Sequence, residues 1–261
     1  MKDSFPAHTV VMTACIQPEA QFAAQLLRIS PAVRRRDYEE ALRFWLALPE
    51  PRITGIVLIE NSGADLASLA RVAEDFNPFG RKHEFISAPG SPTPPGFHYG
   101  YTEFRMIDEG LAQSRVYREN AALIKATGRY RFPTISRLLR RLPADYAVAV
   151  DARNNRHFVP QNQYYITAPL LLARRDFFEA HIRRIYQRMK PPPPWRGQFI
   201  EDLLCDELMP MAGQPGVILR WPVNCDPDGV GADGGPYNTA RKKILRLARG
   251  LGRRLAPYWW F

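Results

Sequence analysis

ITGIVLIENSG (Ile53–Gly63) is a continuous apolar run that closes on Asn-Ser-Gly, and DLASLARVAEDF (Asp65–Phe76) follows it with apolar residues every three or four positions. The run predicts a strand and the spacing a helix, so the turn between them lies at the strand's carboxyl end. HTVVMTACI (His8–Ile16), closed by Gln17-Pro18, begins another such unit, and QFAAQLLRISPAVRRRDYEEALRFWLAL (Gln21–Leu48) predicts two helices separated at Pro31. Repeated strand-helix units predict a mostly parallel sheet flanked by helices, an α/β Rossmann-type class whose ligands sit at the carboxyl ends of the strands. The Cys15–Pro18 and Glu60–Gly63 turns then share one rim.

The rest of the chain is read outward from that frame. SAPGSPTPPGFHYG (Ser87–Gly100) is rich in Pro and Gly and predicts an irregular excursion before the helix YTEFRMIDEGLAQS (Tyr101–Ser114). ADYAVAVDARNN (Ala144–Asn155) predicts a buried strand running into Asp151, and YYITAPLLLARRDFFEAHIRRIYQRM (Tyr164–Met189) a strand followed by a helix. Pro191–Pro194 form a stiff connector before the helix QFIEDLLCDELMPMA (Gln198–Ala212), and GVILRWPV (Gly216–Val223) predicts a late strand. A glycine loop from Gly229 leads into a basic helix, and no internal repeat is visible.

The 261 residues are 46% hydrophobic, enough for one large core, and carry a formal net charge of +10. That charge predicts an anionic partner without saying which. Cys15, Cys205 and Cys225 lie far apart without CxxC spacing, which predicts reduced thiols in a cytoplasmic setting. The short apolar run Val10–Ile16 is far below the ~18 residues of a spanning helix, so neither secretion nor membrane spanning is expected.

LIKATGRYRFPTISRLL (Leu123–Leu139) sets Lys125, Arg129 and Arg131 around Gly128. Arginine forks match phosphate oxygens and glycine admits close approach, so the cluster can hold a diphosphate; the alternative is a solvated basic turn. GYTEFRMIDEGLAQS followed by ALIKATGRYRF resembles small bacterial glycosyltransferases of the GT-A fold that build surface polysaccharides such as O-antigen, capsule or lipopolysaccharide. The likeness extends to VMTACIQP, IENSG and the terminal GVGADGGPY, and so covers nearly the whole chain.

This resemblance implies a hexosyltransferase-type enzyme with a GT-A-like catalytic domain over residues 1–237 and a tail over 238–261. It implies that Thr13, Ala14 and Pro18 close the first strand beneath the nucleotide and that Glu60 and Asn61 lie near base and ribose. Lys125, Gly128 and Arg129 would sit over the sugar-diphosphate, and Gly234, Gly235 and Tyr237 on a flap that closes on it. The bland alternative for Glu60 and Asn61 is a self-satisfied turn.

GT-A enzymes usually hold a divalent cation with Asp-x-Asp after a central strand, but here the pattern is Asp151-Ala152-Arg153. Either Asp151 binds metal with another carboxylate, or Arg153 and Lys125 neutralise the diphosphate without metal; the second is preferred. His157 is a less favoured ligand. Glu201 and Asp202 start a helix, where carboxylates are common as dipole partners, and the resemblance makes Glu201 first choice and Asp202 second for the base that takes the acceptor's proton. Glu103 is expected to bind acceptor hydroxyls.

The expected reaction moves a sugar from a nucleotide-diphosphate sugar to a saccharide or lipid-linked saccharide, with inversion preferred. Rival readings are a non-catalytic nucleic-acid-binding protein, motivated by Arg34–Arg36, Arg137–Arg141 and the tail, and a nucleotidyltransferase on a related fold. Nucleic acid lacks any recognition motif here, and the first loop TACIQPEA lacks the glycines a nucleotidyltransferase normally uses. Residues 238–261 contain seven Lys or Arg and no acid, with Ile244, Leu245, Leu247, Ala248, Leu251 and Leu255 at helical intervals and Tyr258–Phe261 at the end. Such a helix either packs its apolar face on the domain or lies at an anionic membrane surface, peripheral to the cytoplasmic face.

Overall fold

The computed structural model describes residues 5–22, 26–154, 164–190, 198–231, 235 and 239–255. Gly234, Tyr237, His157, the Pro191–Pro194 connector and the aromatic end Tyr258–Phe261 lie outside the described residues.

The chain opens with β1 (His8–Ala14), α1 (Pro31–Ala47), β2 (Ile53–Glu60), α2 (Ala67–Asp75) and β3 (Lys82–Ser87). It continues through α3 (Gly100–Gln113), α4 (Arg115–Glu119), β4 (Ala122–Thr127), α5 (Ile135–Arg141), β5 (Val148–Ala149) and β6 (Ala152–Asn154). Then come β7 (Tyr164–Ile166), β8 (Leu170–Arg174), α6 (Arg175–Phe177), α7 (Ile200–Leu208), β9 (Val217–Ile218) and α8 (Ala240–Leu255).

Seven strands form one sheet in the order β3-β2-β1-β4-β8-β5-β9, with β6 and β7 as a separate antiparallel ribbon. The first four are mutually parallel; β8 runs antiparallel to both β4 and β5, and β9 is parallel to β5. The expected mostly parallel sheet flanked by helices is therefore present. Alternation along each strand feeds two apolar layers: Val10, Met12, Ile124 and Ala126 pack towards α1 and α5, while Val11 and Leu123 pack towards α3 and α7. β1 lies between β2 and β4, so the crossovers leave it in opposite directions and open a crevice at the carboxyl ends of β1 and β4.

Several expected elements differ. Pro31 begins α1 instead of dividing two helices, and before it only the 3-10 turn Ala20–Phe22 is helical. The ring fixes a first-turn φ and lacks an N–H that a helix start leaves unpaired anyway, while it pushes the preceding residue into the extended region. The strand expected through Asp151 is divided into β5 and β6, and the late strand shrinks to β9. The helix expected after β8 breaks into α6, a π turn Phe178–Ile182 and a 3-10 turn Ile185–Arg188. Arg184 joins the last two in the left-handed region at φ 61°, with its N–H held by Asp108 Oδ2 at 2.7 Å.

α8 docks with its polar face. Arg246, Arg249 and Arg253, on one stripe, turn towards Asp226 and Asp151, whereas Ile244, Leu247, Leu251 and Leu255 are 58–76% exposed. Neither sequence expectation had the arginines inside and the leucines outside. The inward stripe follows from the acids beneath it: two largely buried carboxylates attract three guanidiniums.

Candidate active site

The crevice holds a cavity of about 620 Å³. Thr13, Ala14 and Pro18 from the end of β1, Asn61 from the end of β2, and Thr127 and Arg129 from the end of β4 line it, with Glu103 of α3 and Glu201 of α7 on the far side. Three buried polar atoms on this lining have no hydrogen-bond partner: Asn61 Oδ1, Arg129 Nε and Glu201 Oε2. Buried groups of this kind are ordinarily satisfied, so an acceptor, a donor and a carboxylate left open on one cavity mark a place for a polar ligand.

The rim is built by side chains that hold loops. Glu60 is wholly buried and receives the N–H groups of Ile16, Ser62 and Ala64 together with the Ser62 hydroxyl. It fastens the turn after β2 to the turn after β1 and does not face the cavity, so of the two residues expected near base and ribose only Asn61 is positioned there. Arg34 and Tyr38, one turn apart on α1, grip the other side: Arg34 Nε donates to the Cys15 carbonyl, and the Tyr38 hydroxyl accepts from Cys15 N at 2.9 Å. Both line the cavity, as do Gln17, Tyr99 and Arg105. Sequence reading had placed Arg34 in a basic surface run; its i,i+4 pairing with Tyr38 on an inward helix face was the available signal.

Lys125, Arg129 and Arg131, close in sequence, separate in space. Lys125 is fully buried on β4, bonded through Nζ to Glu103 Oε1 at 2.8 Å and to the Ala168 carbonyl at 2.7 Å. Glu103 Oε1 also accepts from Thr13 Oγ1 at 2.8 Å and Thr127 Oγ1 at 3.2 Å. Burial opposes the charge on Glu103, but Lys125 and these hydrogen bonds hold its carboxyl below the ordinary value. The expectation that Lys125 lies over a diphosphate is thus corrected: the strand's alternation points it into the layer against α3, where it ties β1, β4 and α3 together. Gly128 has a similar constructional role, because a Cβ there would lie 2.5 Å from the Thr13 carbonyl oxygen, and its N–H donates to that oxygen at 2.9 Å. Arg131 reaches away to Asp228 at 3.0 Å. Arg129 alone of the three faces the cavity.

At α7 the paired acids also part. Asp202 accepts from Phe199 N at 3.0 Å and so caps the helix start, the dipole-partner role. Glu201 turns into the cavity. Burial, reinforced by Glu103, pushes its carboxyl up to about 7. Glu201 and Pro169 also line a second cavity of about 300 Å³, bounded by β8, the Trp221–Pro227 loop and α8, so Glu201 stands where the two spaces adjoin.

Arg153 lines the smaller cavity, where it bonds Asp151 Oδ2 at 2.8 Å and Asp226 Oδ1 at 2.9 Å. Arg253 takes the other Asp151 oxygen. A divalent cation wants several free oxygen ligands, and a carboxylate held by two guanidiniums does not provide them. Among the described residues no cluster of three His, Cys, Asp or Glu could hold a metal. The donor set at Asp151 therefore does not fit a metal, and Arg153 neutralises this chain's own carboxylates where sequence reading had given it a ligand's diphosphate. Gly235 accepts from Gly231 N at 2.9 Å, within its own loop.

No protein-family model matches the chain, and no curated protein does. Among solved structures it is similar to mannosyltransferase PcManGT from Pyrobaculum calidifontis in complex with GDP-Man and Mn2+, with TM-score 0.48 and 12% identity. That match covers 98% of this chain and 64% of the other, so the chain spans just under two thirds of the mannosyltransferase's length. The inositol-1-phosphate CTP transferase from T. maritima gives TM-score 0.46 and 12% identity over 94% of this chain and 96% of that one. An active-site mutant of LgtC gives TM-score 0.43 and 15% identity over 76% and 69%. Similarity at this level says nothing about residues or chemistry.

Proposed function

We propose that this protein is a glycosyltransferase that takes a nucleotide-diphosphate sugar in the larger cavity and transfers the sugar to a saccharide or lipid-linked saccharide hydroxyl. The observation that carries the reading is Glu201: a carboxyl with an open Oε2, raised to about 7, where two cavities adjoin. A general base works best with a pKa near the working pH, and burial supplies that here. In this reading the acceptor hydroxyl gives its proton to Glu201 Oε2 as its oxygen attacks the anomeric carbon, and the bond to the nucleoside diphosphate breaks. Single displacement inverts that carbon. Arg129 stabilises the charge that develops on the leaving diphosphate, and Asn61 fixes the nucleoside. No step passes through a metal.

The nucleic-acid alternative loses much of its footing. Arg34 is buried on Cys15 and Tyr38, and Arg246, Arg249 and Arg253 of the basic tail turn inward. Thermal-shift titration with UDP, GDP and CMP against filter binding of nucleic acid separates the two, since a transferase prefers one nucleotide. Glu201→Gln then tests the base: turnover falls by roughly a hundredfold or more while nucleotide affinity holds. Wild-type turnover in the variant would remove Glu201 from the chemistry.

In the same reading the protein serves surface polysaccharide synthesis while attached peripherally to a membrane, and the outward leucines support the attachment alone. Ile244, Leu247, Leu251 and Leu255 form an apolar stripe with exposed Arg254 among them, suited to an anionic bilayer surface. No helix among the described residues is long and apolar enough to cross a membrane. Co-sedimentation with anionic vesicles should fall several-fold in Leu247→Glu/Leu251→Glu; equal sedimentation of variant and wild type would reject attachment through α8.

A further inference from the structure

Glu103 enters the larger cavity with its two oxygens placed differently. Oε1 accepts from Lys125 Nζ at 2.8 Å, Thr13 Oγ1 at 2.8 Å and Thr127 Oγ1 at 3.2 Å, whereas Oε2 accepts from none of the described residues. Three donors on one oxygen fix the carboxylate's position. The side chain lines the cavity and is 16% exposed, so the edge it shows there is Oε2. Burial opposes its charge, yet Lys125 and the two hydroxyls hold the carboxyl below its ordinary value. At neutral pH it is ionised and can only accept.

The order of the strands says what reaches that oxygen. Along the rim β2, β1, β4 and β8 follow one another at ~4.8 Å intervals, so a ligand lying across their ends spans roughly 14 Å. Asn61 stands at the β2 end, and Glu103 is tied to Thr13 of β1 and Thr127 of β4. Pro169, whose carbonyl accepts from Thr127 N at 2.9 Å, and Glu201 stand at the β8 end. With the nucleoside on Asn61 and the diphosphate on Arg129, the sugar is left the stretch between Glu103 and Glu201. Both sides of that stretch are carboxyls. The other arginines of the lining turn to the loops after β1 and β3, where Arg34 donates to the Cys15 and Arg28 carbonyls and Arg105 to the Ser91 carbonyl.

We propose that Glu103 selects the transferred sugar by charge: its Oε2 accepts hydroxyls of an uncharged sugar and turns away a sugar that bears a carboxylate of its own. This rests on the transferase reading and names the class of donor for it. A hydrogen bond to an ionised acceptor is about twice as strong as one between neutral groups. An incoming carboxylate instead meets a like charge that Lys125 and two threonines keep from moving aside. A solvated glutamate would swing out of the way; this one is held.

The test is calorimetry on the full chain with UDP and GDP, followed by matched donors of the nucleotide that binds: UDP-glucose against UDP-glucuronic acid, or GDP-mannose against GDP-mannuronic acid. Each pair differs by a hydroxymethyl group against a carboxylate. The acid is expected to bind at least about tenfold more weakly than its neutral partner, and Glu103→Gln to bring the two within about threefold. The bare diphosphate should bind that variant no more weakly than wild type. Should Glu103→Gln lose its thermal transition, Lys125→Met/Glu103→Gln, which removes both charges of the buried pair, gives the same comparison with the same narrowing expected.

Equal affinity for the neutral and the acidic donor in the wild type would overturn the proposal. So would a difference that survives in the variants, which would return Glu103 to the acceptor's hydroxyls. Weaker binding of the bare diphosphate by the folded variants would place Glu103 at the nucleotide and also overturn it. A wild type that binds neither UDP nor GDP would sink the transferase reading itself, and the proposal with it.

Discussion

Two ion-pair networks flank Glu201, one a single buried pair inside the sheet layer and the other a set of shared carboxylates under α8. In the first, Lys125 meets one carboxylate, Glu103, whose Oε1 also accepts from Thr13 and Thr127, while Lys125 Nζ donates to Thr127 Oγ1 and the Ala168 carbonyl. In the second, Asp151 and Asp226 face Arg153, Arg246, Arg249 and Arg253. The first joins β1, β4 and α3 inside the sheet layer. The second ties Asp151, after β5, and Asp226, in the loop after β9, to the C-terminal helix α8. A buried one-to-one pair fastens strands and a helix within one layer, whereas shared carboxylates dock a further helix at the edge of the sheet.

Breaking the buried pair should have the largest effect. Lys125→Met strands a buried carboxylate and is expected to destabilise the fold by about 3–5 kcal/mol in denaturant titration, with much of that recovered in Lys125→Met/Glu103→Gln. A loss below about 1 kcal/mol would mean that water reaches Glu103 and that the two networks do not differ as described. Arg129→Ala comes next, because Arg129 is the member of its sequence cluster that faces the cavity. Nucleoside diphosphate affinity should fall by about 1.5–3 kcal/mol with the fold intact, and unchanged calorimetric affinity would take this residue out of the site.

The smallest effect concerns Glu201 itself, whose carboxyl rises from 4.5 to about 7 on folding. Between those values the folded chain keeps a proton that the unfolded chain has released, so this group's contribution to stability falls as pH rises through the window and stays low above it. Glu201→Gln removes the ionisation. Its stability relative to wild type should therefore climb between pH 4.5 and about 7, by on the order of 1–3 kcal/mol. Parallel stability curves across that range would show that Glu201 is solvated and sits in neither cavity as drawn.

The resemblance read from the sequence put Glu201 and Arg129 into a candidate site, and both line the larger cavity. It also grouped Lys125 and Gly128 with Arg129, where proximity along the chain misled. Lys125 lies within β4, but the strand ends at Thr127 and the turn at Gly128 sends Arg129 to different surroundings, and Gly128 is small because a Cβ would strike the Thr13 carbonyl. Arg34 and Tyr38 were missed because a triple arginine on a helix looks solvated until one of its members is seen to turn inward.

The sequence by itself determined the class of fold, since continuous apolar runs followed by helical spacing at His8–Ile16 and Ile53–Phe76 leave a mostly parallel, helix-covered sheet as the way to bury them. It determined that α8 would be amphipathic, because residue spacing alone fixes which side chains share a stripe. Which stripe faces inward was decided only in three dimensions. Asp151 and Asp226 are 75 positions apart and Asp151 is far from α8 in sequence, yet β5, β8 and the loop after β9 bring both beneath the helix. Coulomb attraction falls with distance through space and is indifferent to distance along the chain, so the partner of a charge is a property of the fold.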